Sequence, residues 1–159
     1  MSSQRYDRRM TDDTWTDDDD ARYQMAALPP NHPVNLARVF FHGVRDESLD
    51  RSILDRMVTP ESKDAWGDFS ATRETMRSIE GPAIGSLANT ALGADDVVYV
   101  KILSGVGEGY TTNTMADVEA MVFTFVWRPE ADLWQIHQFG ELVHPENLPR
   151  TSPGSAPAV

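Results

Sequence analysis

At 159 residues and 40% hydrophobic, the chain holds enough material for one domain with a sizeable core. A net charge of −11 opposes binding to nucleic acid or anionic membrane, which need clustered basic residues, and Lys63 and Lys101 are the only lysines. The absence of cysteine excludes disulfides, thiol catalysis and cysteine-ligated zinc and leaves cytoplasmic residence unopposed. Without a long apolar run or an apolar leader, neither a membrane span nor a signal peptide is expected.

Residues 1–30 are polar, with Asp12, Asp13 and the run Asp17 to Asp20, and read as a disordered acidic arm. The four adjacent aspartates lack the spaced ligands, glycine and closing Glu of a calcium loop, so a solvated tail is the expectation. Trp15 and Tyr23 are the residues able to dock this arm on the body or on a second copy. Asn31, His32 and Pro33 then form a helix-start signal, and Leu36, Val39, Phe40 and Val44 recur at helical spacing over Pro33 to Arg45. His42 falls off that stripe and reads as a surface histidine.

Asp46 to Ser48 are placed to cap a second helix, striped by Leu49, Ile53, Leu54, Met57 and Val58 and ended by Pro60. An irregular turn from Ser62 to Phe69 carries Trp66. Ser70 is placed to cap a third helix to about Ile79, stopped by Gly81 and Pro82. Ile84, Leu87, Ala88, Ala91 and Leu92 match a helical period, so Ala83 to Leu92 reads as a short helix, with a strand as the alternative.

Val97 to Leu103 alternates as a strand, with Val98, Val100 and Ile102 on one face and Val97, Tyr99, Lys101 and Leu103 on the other. Ser104 to Asp117, with Gly105, Gly107 and Gly109, reads as a hairpin tip or flap; it lacks the Lys-Ser or Lys-Thr ending of a phosphate loop. Val118 to Glu141 reads as the hairpin around which the chain is organised. Met121, Phe123, Phe125 and Trp127 share one face of its first strand, and Ala120, Val122 and Val126 the other, so both faces must be covered. Arg128 to Asp132 supply the turn. The return strand places Trp134 and Ile136 opposite Leu133, Gln135, His137 and Phe139, and Gly140 suggests a bulge near its end. The prolines from Pro145 onward mark an unstructured tail, so the expected organisation is an arm over 1–30, one domain over 31–147 and a disordered tail over 148–159.

Helices first and a terminal meander afterwards make an α+β plan, with N-terminal helices packed on an antiparallel sheet. With the Trp134-x-Ile136 pattern on the last strand, this is similar to the cone-shaped fold of the nuclear-transport-factor-like, or cystatin-like, superfamily. That group contains ketosteroid isomerase, scytalone dehydratase, limonene epoxide hydrolase and polyketide cyclase type relatives. No strand is legible between the second and third helices, where the superfamily has one. The resemblance implies a strongly bent sheet around a long first helix and an apolar pocket between them, for which Phe40, Trp66, Met121, Phe123, Phe125 and Trp134 are the candidate lining residues. It also implies that the chain is either a binding or dimerising module or an enzyme, since the superfamily holds both.

Such a pocket would perform acid and base chemistry through a carboxylate, His or Tyr with a shifted pKa. Tyr99, Lys101, Glu119 and His137 are candidates on the strands, with Asp117 and Tyr110 near the rim. Tyr99, to polarise a carbonyl, and His137, to move a proton, form the best pair for a lyase, isomerase or hydrolase acting on a small apolar substrate. The competing reading is structural: both side chains hydrogen-bond locally, and the protein is a non-catalytic module that forms a homodimer through its outer sheet face. His32, His42, His137 and His144 lack the i, i+4 pair of a helical zinc site, and Gly85-Ser86-Leu87-Ala88 breaks the nucleophile-elbow pattern. No metal or cofactor is implied.

Overall fold

The computed structural model of the protein describes residues 28–85, 88–103 and 120–159. The expectations for the acidic arm with Trp15 and Tyr23, and for the glycine-rich stretch with Tyr110, Asp117 and Glu119, lie outside those residues. In chain order the elements are α1 (Pro33–Arg45), α2 (Arg51–Met57), a short α3 (Lys63–Trp66), α4 (Ser70–Ser78), β1 (Ala83–Ile84), β2 (Asn89–Ala91), β3 (Ala94–Leu103), β4 (Ala120–Arg128) and β5 (Leu133–Gly140). All strand pairings are antiparallel, so the fold is α+β with the helices preceding the sheet. β1 and β2 lie end to end on one edge of β3, and β4 and β5 come next on its other side.

Helix α1 forms where its caps and apolar face agree. His32 is the N-cap, its Nδ1 accepting from the Val34 amide at 3.2 Å, and Pro33 occupies the first helical position. Val34, Ala37, Phe40, Phe41 and Val44 are buried, whereas Val39 faces solvent and Phe41 takes the place predicted for it. At the other end, the Val44 and Arg45 carbonyls accept from Arg73 Nε at 2.9 Å and Arg77 Nε at 3.0 Å. Two guanidinium groups of α4 therefore sit at the negative end of α1 and fasten the two helices together.

Several helix boundaries differ from expectation. The N-cap of α2 is Asp50 and that of α4 is Phe69, held in the left-handed region at φ 64°; Asp68 Oδ1 accepts from the Ser70 amide at 3.0 Å. Ser70 is thus the first helical residue and not the cap. The predicted helix over Ala83 to Leu92 is replaced by β1 and β2 in the described part of that stretch. Edge pairing to β3 satisfies the backbone there, and Leu92, which the helical reading needed inside, is fully exposed.

β4 is covered on both faces. Val98, Val100, Ile102, Phe123, Phe125, Trp127, Trp134 and Ile136 form one buried cluster with the apolar sides of α1 and α2. A second cluster joins Ala91, Ala94, Val97, Tyr99, Val122 and Val126 to Leu148 and Val143 from the segment after β5. From Pro145 onward the segment was expected to be an unstructured tail. It has no regular structure beyond a 3₁₀ turn at Pro145–Asn147, yet it lies across the outer sheet face with Leu148 and Ser152 buried. The surface that motivated a homodimer is therefore occupied by the chain itself.

The β4–β5 register shifts between Thr124, opposite Gln138, and Phe125, opposite Ile136, so His137 is the extra residue of a β-bulge. The bulge reverses the facing of the residues after it. Phe139 joins Trp134 and Ile136 on the helix side instead of opposing them, with its ring 4.7 Å from that of Phe123. Gly140 marks the strand end with φ 133°, which other residues rarely adopt, but the bulge falls three positions earlier. Beyond β5 the sheet edge is met by a parallel bridge, Val58 to Ile136, where no strand was legible.

Gly43 lets α1 pack tightly against the chain beyond it, because a Cβ there would overlap the Leu49 side chain. Gly43→Ala gains about 1 kcal/mol of helix propensity but meets an overpacking cost of about 1–3 kcal/mol. We expect urea unfolding to show Gly43→Ala destabilising in the native sequence and stabilising in a Leu49→Ala background, a sign reversal that simple propensity would not give.

Candidate functional site

The six residues proposed to line a pocket all fall in or against the helix-side cluster. Phe40 projects from α1 edge-on to Trp66, Phe69 and Phe123, at ring separations of 5.4, 6.0 and 6.3 Å, and Trp66 stacks on Phe69 at 5.7 Å. Phe123 and Phe125 lie 6.4 Å apart along β4, and Trp127 meets Trp134 edge-on at 5.5 Å. Phe40, Phe123, Phe125 and Trp134 are buried, while Trp66 and Met121 are partly exposed. The strand register explains this gradation: Ile84, Ile102 and Met121 form the cross-strand row at the end of the sheet. The next row, Val100, Phe123 and Phe139, lies beneath α1. Met121, Ile84 and Phe139 are partly exposed at this end of the cluster, as Trp66 is elsewhere on it.

His137 enters a chain of buried hydroxyls on the same side. Its Nδ1 lies 2.8 Å from Thr59 Oγ1, which lies 2.8 Å from Ser62 Oγ. Ser62 Oγ also lies 2.9 Å from Trp66 Nε1 and 3.1 Å from the Thr59 carbonyl. One arrangement of protons serves every partner. Trp66 N–H and Thr59 O–H donate to Ser62, Ser62 O–H donates to the Thr59 carbonyl, and His137 Nδ1–H donates to Thr59, leaving Nε2 as the acceptor. The Thr59 amide donates to the Ile136 carbonyl at 3.0 Å, which fixes this turn against β5 at the bulge.

Beside this chain sits a second polar tie. Arg128, buried at the end of β4, pairs bidentately with Glu61 at 2.8 Å for each bond, while its Nε donates to Glu130 at 2.7 Å. Those bonds hold the Glu61 carboxyl below its ordinary pKa. Burial pushes the His137 imidazole below its ordinary value; Glu61 opposes that shift and Arg128 adds to it.

Tyr99 points the other way. It lies in the outer-face cluster, its hydroxyl donates to the Val143 carbonyl at 2.7 Å, and burial raises its pKa. The structure therefore does not bring Tyr99 and His137 together: a sheet lies between their partners, with the Tyr99 hydroxyl held by the Val143 carbonyl and His137 Nδ1 by Thr59. Lys101 is exposed on the outer side. Thr59, being fully buried, offers no path to a substrate although it lies within hydrogen-bond reach of an imidazole. Among the described residues no group of three or more His, Asp or Glu is placed to hold a metal.

Thr59, Ser62, Glu61 and Arg128 were missed by sequence reasoning. Thr59-Pro60-Glu61-Ser62 carries the local signal of a hydroxyl-closed turn, but its attachment to Arg128 and His137 spans far too much chain to be read from spacing. Compared with protein-family models, with curated proteins and with solved structures, the chain gives no match.

The imidazole sets a pH dependence. The folded pKa of His137 is lowered, so the unfolded chain takes up the proton first. Stability is complete above the ordinary value of 6.5 and is lost as pH falls through it towards the folded value. His32 and His42 are lowered too and contribute with the same sign. Urea midpoints measured at about pH 7.5 and about pH 5 should differ less for His137→Gln than for the native protein; an unchanged difference would show that this imidazole is not what titrates.

Proposed function

We propose that the protein is a binding module of cone-shaped plan, similar to the nuclear-transport-factor-like superfamily, which holds a small apolar molecule between helices and sheet. The observation that carries this reading is the aromatic cluster under α1, buried along most of its length and partly exposed at the end formed by Ile84, Met121 and Phe139. Order of elements supports the cone plan, as does the Val58–Ile136 bridge, which stands where the superfamily has its strand. A catalytic reading finds no support, because the two candidate acid and base groups are engaged on separate sides of the sheet.

The assembly half of the proposal is a homodimer through the outer sheet face, which requires the segment after β5 to move from that face. Among the described residues no helix is long and apolar enough to cross a membrane. With a chain free of cysteine, the cytoplasm is the compartment that completes this reading.

A neutral apolar fluorophore, N-phenyl-1-naphthylamine, tests the ligand site directly. Saturable binding to the folded protein is expected, weakened about tenfold or more by Met121→Trp, which fills the open end of the cluster. No saturable binding, or binding that ignores the substitution, would remove the proposal.

A further inference from the structure

The segment after β5 is attached in the manner of a ligand. It adds no strand to the sheet, and side-chain groups of the body hold it. Tyr99 Oη donates to the Val143 carbonyl at 2.7 Å, and Arg128 Nη1 donates to the Pro149 carbonyl at 3.3 Å. Arg150 clasps Asp96 through contacts of 2.7, 3.0 and 3.0 Å, and the Gly154 amide donates to Asp95 at 2.9 Å. Leu148 is buried against the floor of Val97, Tyr99, Val122 and Val126. None of these contacts depends on the segment being continuous with the β5 beside it. Only Glu141 and Leu142 separate Gly140 from the first anchor, and both are exposed.

The surface beneath cannot stand bare. Asp96 is 0% exposed with Arg150 as its ion-pair partner, and a buried carboxylate stripped of its guanidinium is strongly unfavourable. Anything that replaces the segment must bring a carbonyl to Tyr99, an apolar side chain to the valine floor and a guanidinium to Asp96, in that order and at that spacing. The same segment of another copy meets all three requirements. The cover leaves one polar group unsatisfied: among the described residues Thr124 Oγ1, fully buried on that face between Tyr99 and Gln138, has no hydrogen-bond partner.

From this geometry we propose that residues 141–159 form a replaceable strap, and that its replacement is the strap of a second copy of the chain, giving a strap-exchanged dimer. Pro145, Pro149 and Pro153 restrict the freed strap and so reduce the entropy lost when it docks again. This rests on the assembly half of the proposed function and is independent of the apolar end of the helix-side cluster.

The test uses the full chain and a fluorescein-labelled peptide of residues 141–159. Fluorescence anisotropy should show the peptide binding about tenfold or more tightly to a Leu148→Ala chain, whose own strap is loosened, than to the native chain. A peptide carrying Arg150→Glu should fail to bind. Arg150→Ala in the chain provides a second loosened form should Leu148→Ala not fold. For the native chain, which needs no variant, sedimentation at rising concentration should reveal a dimer that excess peptide dissolves. Absence of peptide binding to loosened chains, equal binding of the Arg150→Glu peptide, a native chain that stays monomeric throughout, or a dimer untouched by peptide would each overturn the proposal. Because N-phenyl-1-naphthylamine reports on the Met121 end alone, its binding separates failure of the strap from failure of the ligand site.

Discussion

β4 carries apolar side chains on both faces, and water has to be kept from each of them at once. On one side the solution is helical. Phe123, Phe125 and Trp127 meet the apolar stripe of α1 and the neighbouring aromatic rings. On the other side the strand and its neighbours present Val97, Tyr99, Val122 and Val126, and the chain doubles back after β5 to lay Val143 and Leu148 over them. Each such side chain is worth about 1.5–3 kcal/mol when removed from water. Leaving either face open would therefore forfeit an amount comparable to the whole stability of a small domain.

Apolar cover alone does not fix the angle at which each layer sits, and polar ties between the layers do. Arg73 and Arg77 take the last carbonyls of α1, Arg128 takes Glu61 from the turn before α3, and Asp96 takes Arg150 from the strap. In the last two pairs one partner is buried and the other stays partly in solvent, with side-chain exposures of 5% and 42% for Arg128 and Glu61 and of 0% and 26% for Asp96 and Arg150. Loss of Arg150 leaves the Asp96 charge uncompensated inside and loss of Glu61 leaves Arg128 to Glu130 alone, whereas loss of the inner partner lets its mate rehydrate. The geometry thus favours the closed arrangement most strongly at the points where distant parts of the chain meet. His137, thrown out of register by the bulge, does the same work with neutral groups through Thr59 and Ser62.

Much of this was legible in the residues. The start of α1 with Phe40 and Val44 inside, the turn at Arg128 to Asp132, and the two-sided character of β4 come from local chemistry and periodicity, and they stand in the structure, whereas Phe41 replaces Val39 in the stripe. The features that could not be read depend on pairing across the chain. The period of Ile84, Leu87, Ala88, Ala91 and Leu92 is helical on paper, but β3 supplies backbone partners that turn the described part of the stretch into edge strands. Simple alternation placed Phe139 with His137, and one inserted residue reversed it. A proline-rich segment reads as unstructured because its order comes from Asp96, Tyr99 and the valine floor and not from itself. The aromatic side chains named as candidate lining residues share one core cluster because their strand and helix periods converge there. The acid and base pairing failed because its two members were on opposite sides of the sheet.

If β4 is sealed from both sides, its amides should be reachable only when the whole molecule opens. Residue-resolved hydrogen exchange measures this directly. The amides of Val122 to Trp127 are expected to be the slowest in the protein, with an opening free energy equal to that of global unfolding measured by denaturant. Exchange of Val122 and Val126 as fast as that of exposed loop amides such as Ala131 would contradict the double cover on which the fold, the site and the strap all depend.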